Sequence, residues 1–171
     1  MLPTPEQCYA LWDKYEMPAN IRAHTRAVAR VADLVALHIA SQGIAVDKEL
    51  VNRGALLHDI AKLRGIQGGK EVRHTDEGAE IVMLEGFGKR LADIVRRHGT
   101  GTFSFNLPIE DQIVNYADRR VLHDKIVSLP ERLADLAKRY PGAREIIEES
   151  RPLYEEFEKM YNLGLLPFDK F

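Results

Sequence analysis

The sequence predicts an all-α protein, a helical bundle carrying extra helices at its N- and C-terminal ends. Two observations carry that prediction. Alanine, leucine, glutamate, lysine and arginine abound in helix-length segments. Few runs alternate apolar with polar residues over the length of a strand, and only 8% of the residues are aromatic. At 171 residues, 45% of them hydrophobic, the chain has the size of one domain with a substantial core. One domain over residues 1–171 is expected, with its core at about 20–128 and a C-terminal helical extension at about 130–171.

Each helix has its own local signal. Thr4, Pro5 and Gln7 suit an N-cap, a first helical position and a closing capping box, for a helix that ends before Pro18. Asn20 is the expected cap of a second helix reaching about Gln42, with Ile21, Val28, Val31, Leu34, Val35 and Ile39 at helical spacing and Gly43 as its stop. Asp47 caps a third, whose stripe of Leu50, Val51, Ala55, Leu56 and Leu57 runs on to an end near Arg64 or Gly65. RGIQGGKEVRHT, from Arg64 to Thr75, reads as a loop, followed by a helix from about Asp76 to Leu84. After Gly86 to Gly88 a fifth helix reaches His98, and Gly99 to Pro108 is a loop holding Phe103 and Phe105. Ile109 to about Val127 reads as one helix that carries Asp118; Pro130 opens the next, Pro141 and Gly142 close it, and Pro152 breaks or kinks the last.

Charge and composition narrow the function. Lysine and arginine total 24 against 26 acidic residues, a formal charge of -2, so no overall positive field exists to hold nucleic acid, and no DNA partner is expected. The single cysteine, Cys8, excludes an internal disulfide and fits a packed thiol in a reducing compartment. MLPTPEQ lacks the features of a signal peptide, and no window approaches the ~20 apolar residues that cross a bilayer. A cytoplasmic protein with no membrane partner is expected.

The stretch ALLHDIAK, Ala55 to Lys62, places His58 and Asp59 directly after a core stripe. On a helix these neighbours diverge by about 100°, yet both can bend toward an ion beside the helix. Lys62, four residues after His58 and three after Asp59, comes to the same side, where its ammonium could hold a phosphate oxygen. His24, His58, Asp59, His74, His98 and Asp118 fall on or at the ends of five successive helical segments, each next to apolar residues that would turn it inward. Such donors suit iron, manganese, cobalt, nickel or zinc without a thiolate. His123-Asp124 is a second doublet but lacks partners and reads as surface or structural. His38 lies fourteen residues beyond His24, some 21 Å along the helix, too far to share an ion.

The order His24, His58-Asp59, Asp118 resembles the H…HD…D signature of the HD-domain metal-dependent phosphohydrolases. HDIAK closely approaches the HDIGK form found there, and NYADRR, Asn115 to Arg120, resembles the stretch around that family's last aspartate. The resemblance spans about His24 to Asp118. It implies a first metal held by His24, His58, Asp59 and Asp118, with Asp59 bridging to a second held by His74 and His98; in the alternative, His74 and His98 only bind substrate phosphate or tune the first metal. RHTDEGAEIV and IVRRHGTG are similar to the corresponding stretches of bacterial HD hydrolases that split diadenosine tetraphosphate symmetrically, whereas the GYP extension of the cyclic-di-GMP phosphodiesterases is absent.

The expected chemistry is attack on phosphorus by a metal-activated water, with Asp59 and Lys62 as catalytic residues. Arg22, Arg26, Arg64, Arg73, Arg97 and Arg119 are the candidates for clamping substrate phosphates. Phe103 and Phe105 could stack a base or simply pack in the core. A dinucleoside polyphosphate is the leading substrate, ahead of a nucleoside mono- or triphosphate. A catalytically silent module that senses a nucleotide or redox state is the competing class. Ala143 to Phe171 packs either on its own domain or on a second copy, in a homodimer.

Overall fold

The computed structural model describes residues 1–67 and 73–168, and it is all-α apart from one two-stranded hairpin. In chain order it contains α1 (Pro5–Lys14), α2 (Ala19–Ser41), α3 (Lys48–Leu57), α4 (Lys62–Gln67), α5 (His74–Leu84), α6 (Lys89–Arg97), α7 (Ile109–Asp118), β1 (Val121–Leu122), β2 (Lys125–Ile126), α8 (Leu129–Arg139) and α9 (Arg144–Met160). Short 3₁₀ turns at Pro141–Ala143 and Leu163–Leu165 flank α9. No helix among the described residues is long and apolar enough to cross a membrane.

The caps explain several boundaries. The capping box of α1 forms as its sequence requires: the Gln7 amide donates to Thr4 Oγ1 at 3.3 Å, and the Thr4 amide donates to Gln7 Oε1 at 2.7 Å. Asp47 caps α3 by accepting from the Leu50 amide at 3.0 Å. Asn20 does not cap α2; the helix begins two residues earlier, with Pro18 at the cap position and Asn20 inside its first turn. Gly43, at φ +84°, then supplies the left-handed residue that ends α2.

Two longer helices expected from apolar spacing are divided. The third helix stops at Leu57, and residues 58–61 form a tight turn in which the Ile60 amide donates to the Leu57 carbonyl at 3.1 Å and the Lys62 amide to the Asp59 carbonyl at 2.9 Å. α4 follows, so residues 64–67 are helical and not loop; the rest of the glycine-rich stretch, residues 68–72, lies outside the described residues. The helix expected from Ile109 to Val127 likewise ends at Asp118, and a hairpin follows, with Val121 opposite Ile126 and Leu122 opposite Lys125. α9 continues through Pro152.

Burial of apolar faces assembles these pieces. α2 lies across α3 and α7, with Val28, Val31, Val35 and Ile39 against Leu50, Val51, Ile113 and Val114 in one cluster of buried side chains. Cys8 is buried and unpaired beside the fully buried Trp12, whose indole Nε1 donates to the Leu56 carbonyl at 2.8 Å. Tyr154, Phe157 and Leu163 from the C-terminal segment join the same cluster. Phe103 is in that cluster too, packed on Phe105, Tyr154 and Phe157, and is therefore core rather than a stacking platform. His38 is half-buried and ties α2 to the chain end through the Tyr161 carbonyl at 2.9 Å.

Candidate metal centre

All six candidate ligands converge. His24 comes from α2, His58 from the C-cap of α3, Asp59 from the turn after it, His74 from the first residue of α5, His98 from the C-cap of α6 and Asp118 from the last residue of α7. The four imidazoles stand in a row: ring centres are 5.6 Å apart for His24 and His58, 4.9 Å for His58 and His98, and 5.3 Å for His98 and His74.

Small residues set that spacing. Gly54 lies one turn before His58 on α3 and faces Ile94, one turn before His98 on α6; a β-carbon there would stand 2.6 Å from Ile94 Cγ2. Gly78, one turn after His74, faces Val95 in the same way, at 2.9 Å. Two helix pairs thus approach closely just where they deliver three histidines.

Asp59 sits between two groups of donors. Its Oδ2 lies 3.5 Å from His58 Nε2 and 4.0 Å from His24 Nε2, while its Oδ1 lies 3.4 Å from both His74 Nε2 and His98 Nε2. On the first side Asp118 Oδ1 adds a further oxygen, 3.0 Å from His24 Nε2. Donor atoms of His24, His58 and Asp118, and separately of His58, Asp59 and His98, gather closely enough to share an ion.

The backbone fixes which ring nitrogen faces inward. His58 Nδ1 lies 2.7 Å from the Ala55 carbonyl, His98 Nδ1 2.6 Å from the Val95 carbonyl and His24 Nδ1 2.7 Å from the His123 carbonyl. A carbonyl only accepts, so each Nδ1 carries a proton and each Nε2 faces the centre; His24 Nε2, 3.0 Å from Asp118 Oδ1, itself donates to that carboxylate and offers a lone pair only after losing its proton. The His123 contact was not legible in the sequence. That residue occupies the turn between β1 and β2 at φ +57°, its side chain exposed, and it serves through its carbonyl oxygen.

Electrostatics fit the same purpose. Burial holds His58 down to about 4, so it is neutral at physiological pH, and burial also lowers His74. For His24, burial opposes the charged form but the hydrogen bond and charge of Asp118, with Asp59, outweigh it and raise the pKa. Burial would raise Asp59, yet Lys62 and the surrounding histidines hold it well below the usual carboxylate range; Arg119, His24 and Arg132 do the same for Asp118. Lys62 Nζ, 3.4 Å from Asp59 Oδ1 and 3.3 Å from His74 Nε2, is raised by Asp59 and Asp118 against the cost of burial.

Two atoms test whether a cation belongs here. His58 Nε2 and Asp59 Oδ1 are buried and have no hydrogen-bond partner. A buried lone pair without a donor costs free energy of about 1–3 kcal/mol, and a divalent cation is the partner that relieves both at once. Imidazole nitrogens and ionised carboxylates fit such an ion.

The arginines divide differently from expectation. Arg22 is committed to the end of α1, pairing with Asp13 at 2.5 Å and donating to the Met17 and Trp12 carbonyls. Arg26 stacks on Trp12, Arg64 pairs with Glu77 and lies over Tyr15, and Arg97 pairs with the buried Asp111. Arg119 is buried behind the centre, paired with Asp118 and donating to the His98 carbonyl at 3.1 Å. Carboxylates and carbonyls already hold Arg22, Arg97 and Arg119, whereas Arg26 and Arg64 remain exposed. Arg73 stands open as well, its side chain 83% exposed and only loosely paired with Asp76 at 3.9 Å. It precedes His74, and the His74 and Lys62 side chains, 27% and 29% exposed, mark the side from which solvent reaches the centre. Arg132 of α8, which no motif singles out, backs Asp118 at 3.7 Å and donates to its carbonyl at 3.4 Å.

A family model described as HD domain matches residues 21–121. An uncharacterized protein of Methanocaldococcus jannaschii is 34% identical over 146 residues, covering 75% of this chain and 84% of the relative. A tRNA (cytidine(56)-2'-O)-methyltransferase of Picrophilus torridus is 31% identical over 144 residues, 76% of this chain and 40% of its own. Ribonuclease Y of Treponema denticola is 29% identical over 135 residues, 74% of this chain and 25% of its own. The chain therefore spans less than half the length of the latter two. No solved structure matches it significantly.

Proposed function

Since the chain belongs to the HD-domain family, whose chemistry is metal-dependent phosphohydrolysis, we propose that it hydrolyses a phosphate ester or anhydride of a nucleotide at a centre where Asp59 and its neighbours would hold two divalent cations. The observation that carries this reading is the Asp59 carboxylate, with one oxygen toward His24 and His58 and the other toward His74 and His98. His24, His58, Asp59 and Asp118 would hold one ion; Asp59, His74 and His98 would hold the other.

Bound cations would supply Lewis acidity, making water a nucleophile near neutral pH and offsetting charge on the phosphoryl oxygens. The chain's own groups do the rest. Lys62 stays an ammonium, because the carboxylates beside it raise its pKa, so it serves as a charge donor to a phosphoryl oxygen and not as a base. Asp59 and Asp118 stay ionised. Arg73 and Lys62, at the open side, are placed to receive the remaining phosphate charge of an incoming substrate.

For the substrate, the sequence contexts of His74 and His98 favour a dinucleoside polyphosphate, with a nucleoside mono- or triphosphate next. A second reading follows from two relatives whose names concern RNA, and takes a phosphodiester in a short RNA as the bond cleaved. The experiment is turnover by purified protein, reconstituted in turn with manganese, iron, cobalt, nickel and zinc, on diadenosine tetraphosphate, nucleoside mono- and triphosphates, and single-stranded RNA. Hydrolysis of one class that disappears with chelator supports the proposal. No turnover of any of them with any ion refutes it and leaves the silent-module reading.

A further inference from the structure

The family match ends at residue 121, yet a side chain from α9 reaches the scaffold of the metal centre. Tyr154 is fully buried and donates its hydroxyl to Asn115 Oδ1 at 2.6 Å. Asn115, also fully buried, spends its Nδ2 on the Arg97 carbonyl at 2.8 Å, Thr102 Oγ1 at 3.0 Å and the Gly99 carbonyl at 3.3 Å. The two carbonyls flank His98. Asn115 itself lies on α7 three residues before Asp118, and Arg119 closes the circuit between Asp118 and the His98 carbonyl.

The direction of one amide decides whether this circuit holds. Turned over, the Asn115 side chain would aim its oxygen at the Arg97 and Gly99 carbonyls, acceptor against acceptor. A donor on the Oδ1 side selects the working orientation, and Tyr154 is that donor. We propose that Tyr154 is a positioning residue of the metal centre: its hydroxyl fixes the Asn115 amide and thereby holds His98 in place relative to Asp59 and Asp118. The helices beyond the family match are then part of the site and not an appendage to it. This inference rests on the metal-centre reading above.

The test compares full-length wild type, Tyr154→Phe and Leu153→Ala, all stripped of metal. Leu153 packs on the core from the same helix without touching the circuit, so it reports simple loosening of α9. Manganese affinity is read by chelator competition, and the optical bands of bound cobalt report ligand geometry. Tyr154→Phe is expected to bind manganese roughly 10-fold more weakly and to shift the cobalt bands, as loss of a partner behind a metal ligand does, while Leu153→Ala does neither. Unchanged affinity and bands in Tyr154→Phe would overturn the inference, as would equal changes in Leu153→Ala. Should Tyr154→Phe not fold, Thr102→Val, at the exposed end of the circuit, is judged by the same two readings. If wild type binds neither ion, the metal centre itself falls, and the inference with it.

Discussion

Replacing His58 by glutamine should change the way the stability of the metal-free protein depends on pH. His58 is fully buried, and burial holds its pKa at about 4 against an ordinary 6.5. Between those values the unfolded chain takes up a proton that the folded chain refuses, so stability falls as the pH falls. The full effect is about 3 kcal/mol at low pH, and about 2 kcal/mol of it is already lost at pH 5. His24 works in the opposite sense: its raised pKa contributes stability present below 6.5 and lost as the pH rises through its folded value. His74, lowered, has the same sense as His58. Both residues remain in the variant and cancel in the comparison. Asp59 and Asp118, held well below 3.8, release their contribution only at more acidic pH. Urea unfolding in chelator, followed by far-ultraviolet dichroism at pH 7.5 and pH 5, therefore gives a wild-type-minus-variant difference that shrinks by about 2 kcal/mol on acidification. A difference constant to within about 0.5 kcal/mol would refute the argument that this ring is kept neutral by burial.

Asp59→Ala removes the carboxylate that faces both donor groups and should abolish metal-dependent hydrolysis while the helical dichroism stays intact; full activity in the purified variant would end the assignment. Metal affinity should fall on acidification from above pH 6.5, because His24, raised by Asp118 and Asp59, must shed its proton to donate; equal cobalt occupancy at pH 8 and pH 6 would contradict this. Gly54→Ala forces a β-carbon against Ile94 and should cost about 1–3 kcal/mol in thermal or urea unfolding. The same variant should weaken metal binding, since the contact lies one turn from both His58 and His98, and a normal manganese affinity would separate packing from the centre.

Part of the candidate site was legible in the sequence because its spacing is local. His58, Asp59 and Lys62 fall within five residues, and their convergence needs only one turn of chain, although that turn is tighter than the helix expected there. His24, His74, His98 and Asp118 were legible as inward-facing residues on helices or at their ends. What periodicity could not give was the company of the arginines. Arg22 and Arg97 find their carboxylates through tertiary contacts with Asp13 and Asp111, and a guanidinium's partner is decided by which carboxylate the fold brings nearest. The His123 carbonyl was invisible for a different reason: backbone atoms belong to every residue, and only the unexpected hairpin aims this one at His24. Arg132 and Tyr154 act across long sequence distances and carry no local pattern.

The backbone carbonyls behind His24, His58 and His98 have an energetic meaning for loading. Each ring is pinned at its outer nitrogen before any ion arrives, so capture costs little rotamer entropy and needs no rearrangement of the chain. A cradle made rigid in this way discriminates among cations by radius and preferred coordination number, and it sheds them slowly, because none of these three imidazoles can swing aside to begin the release.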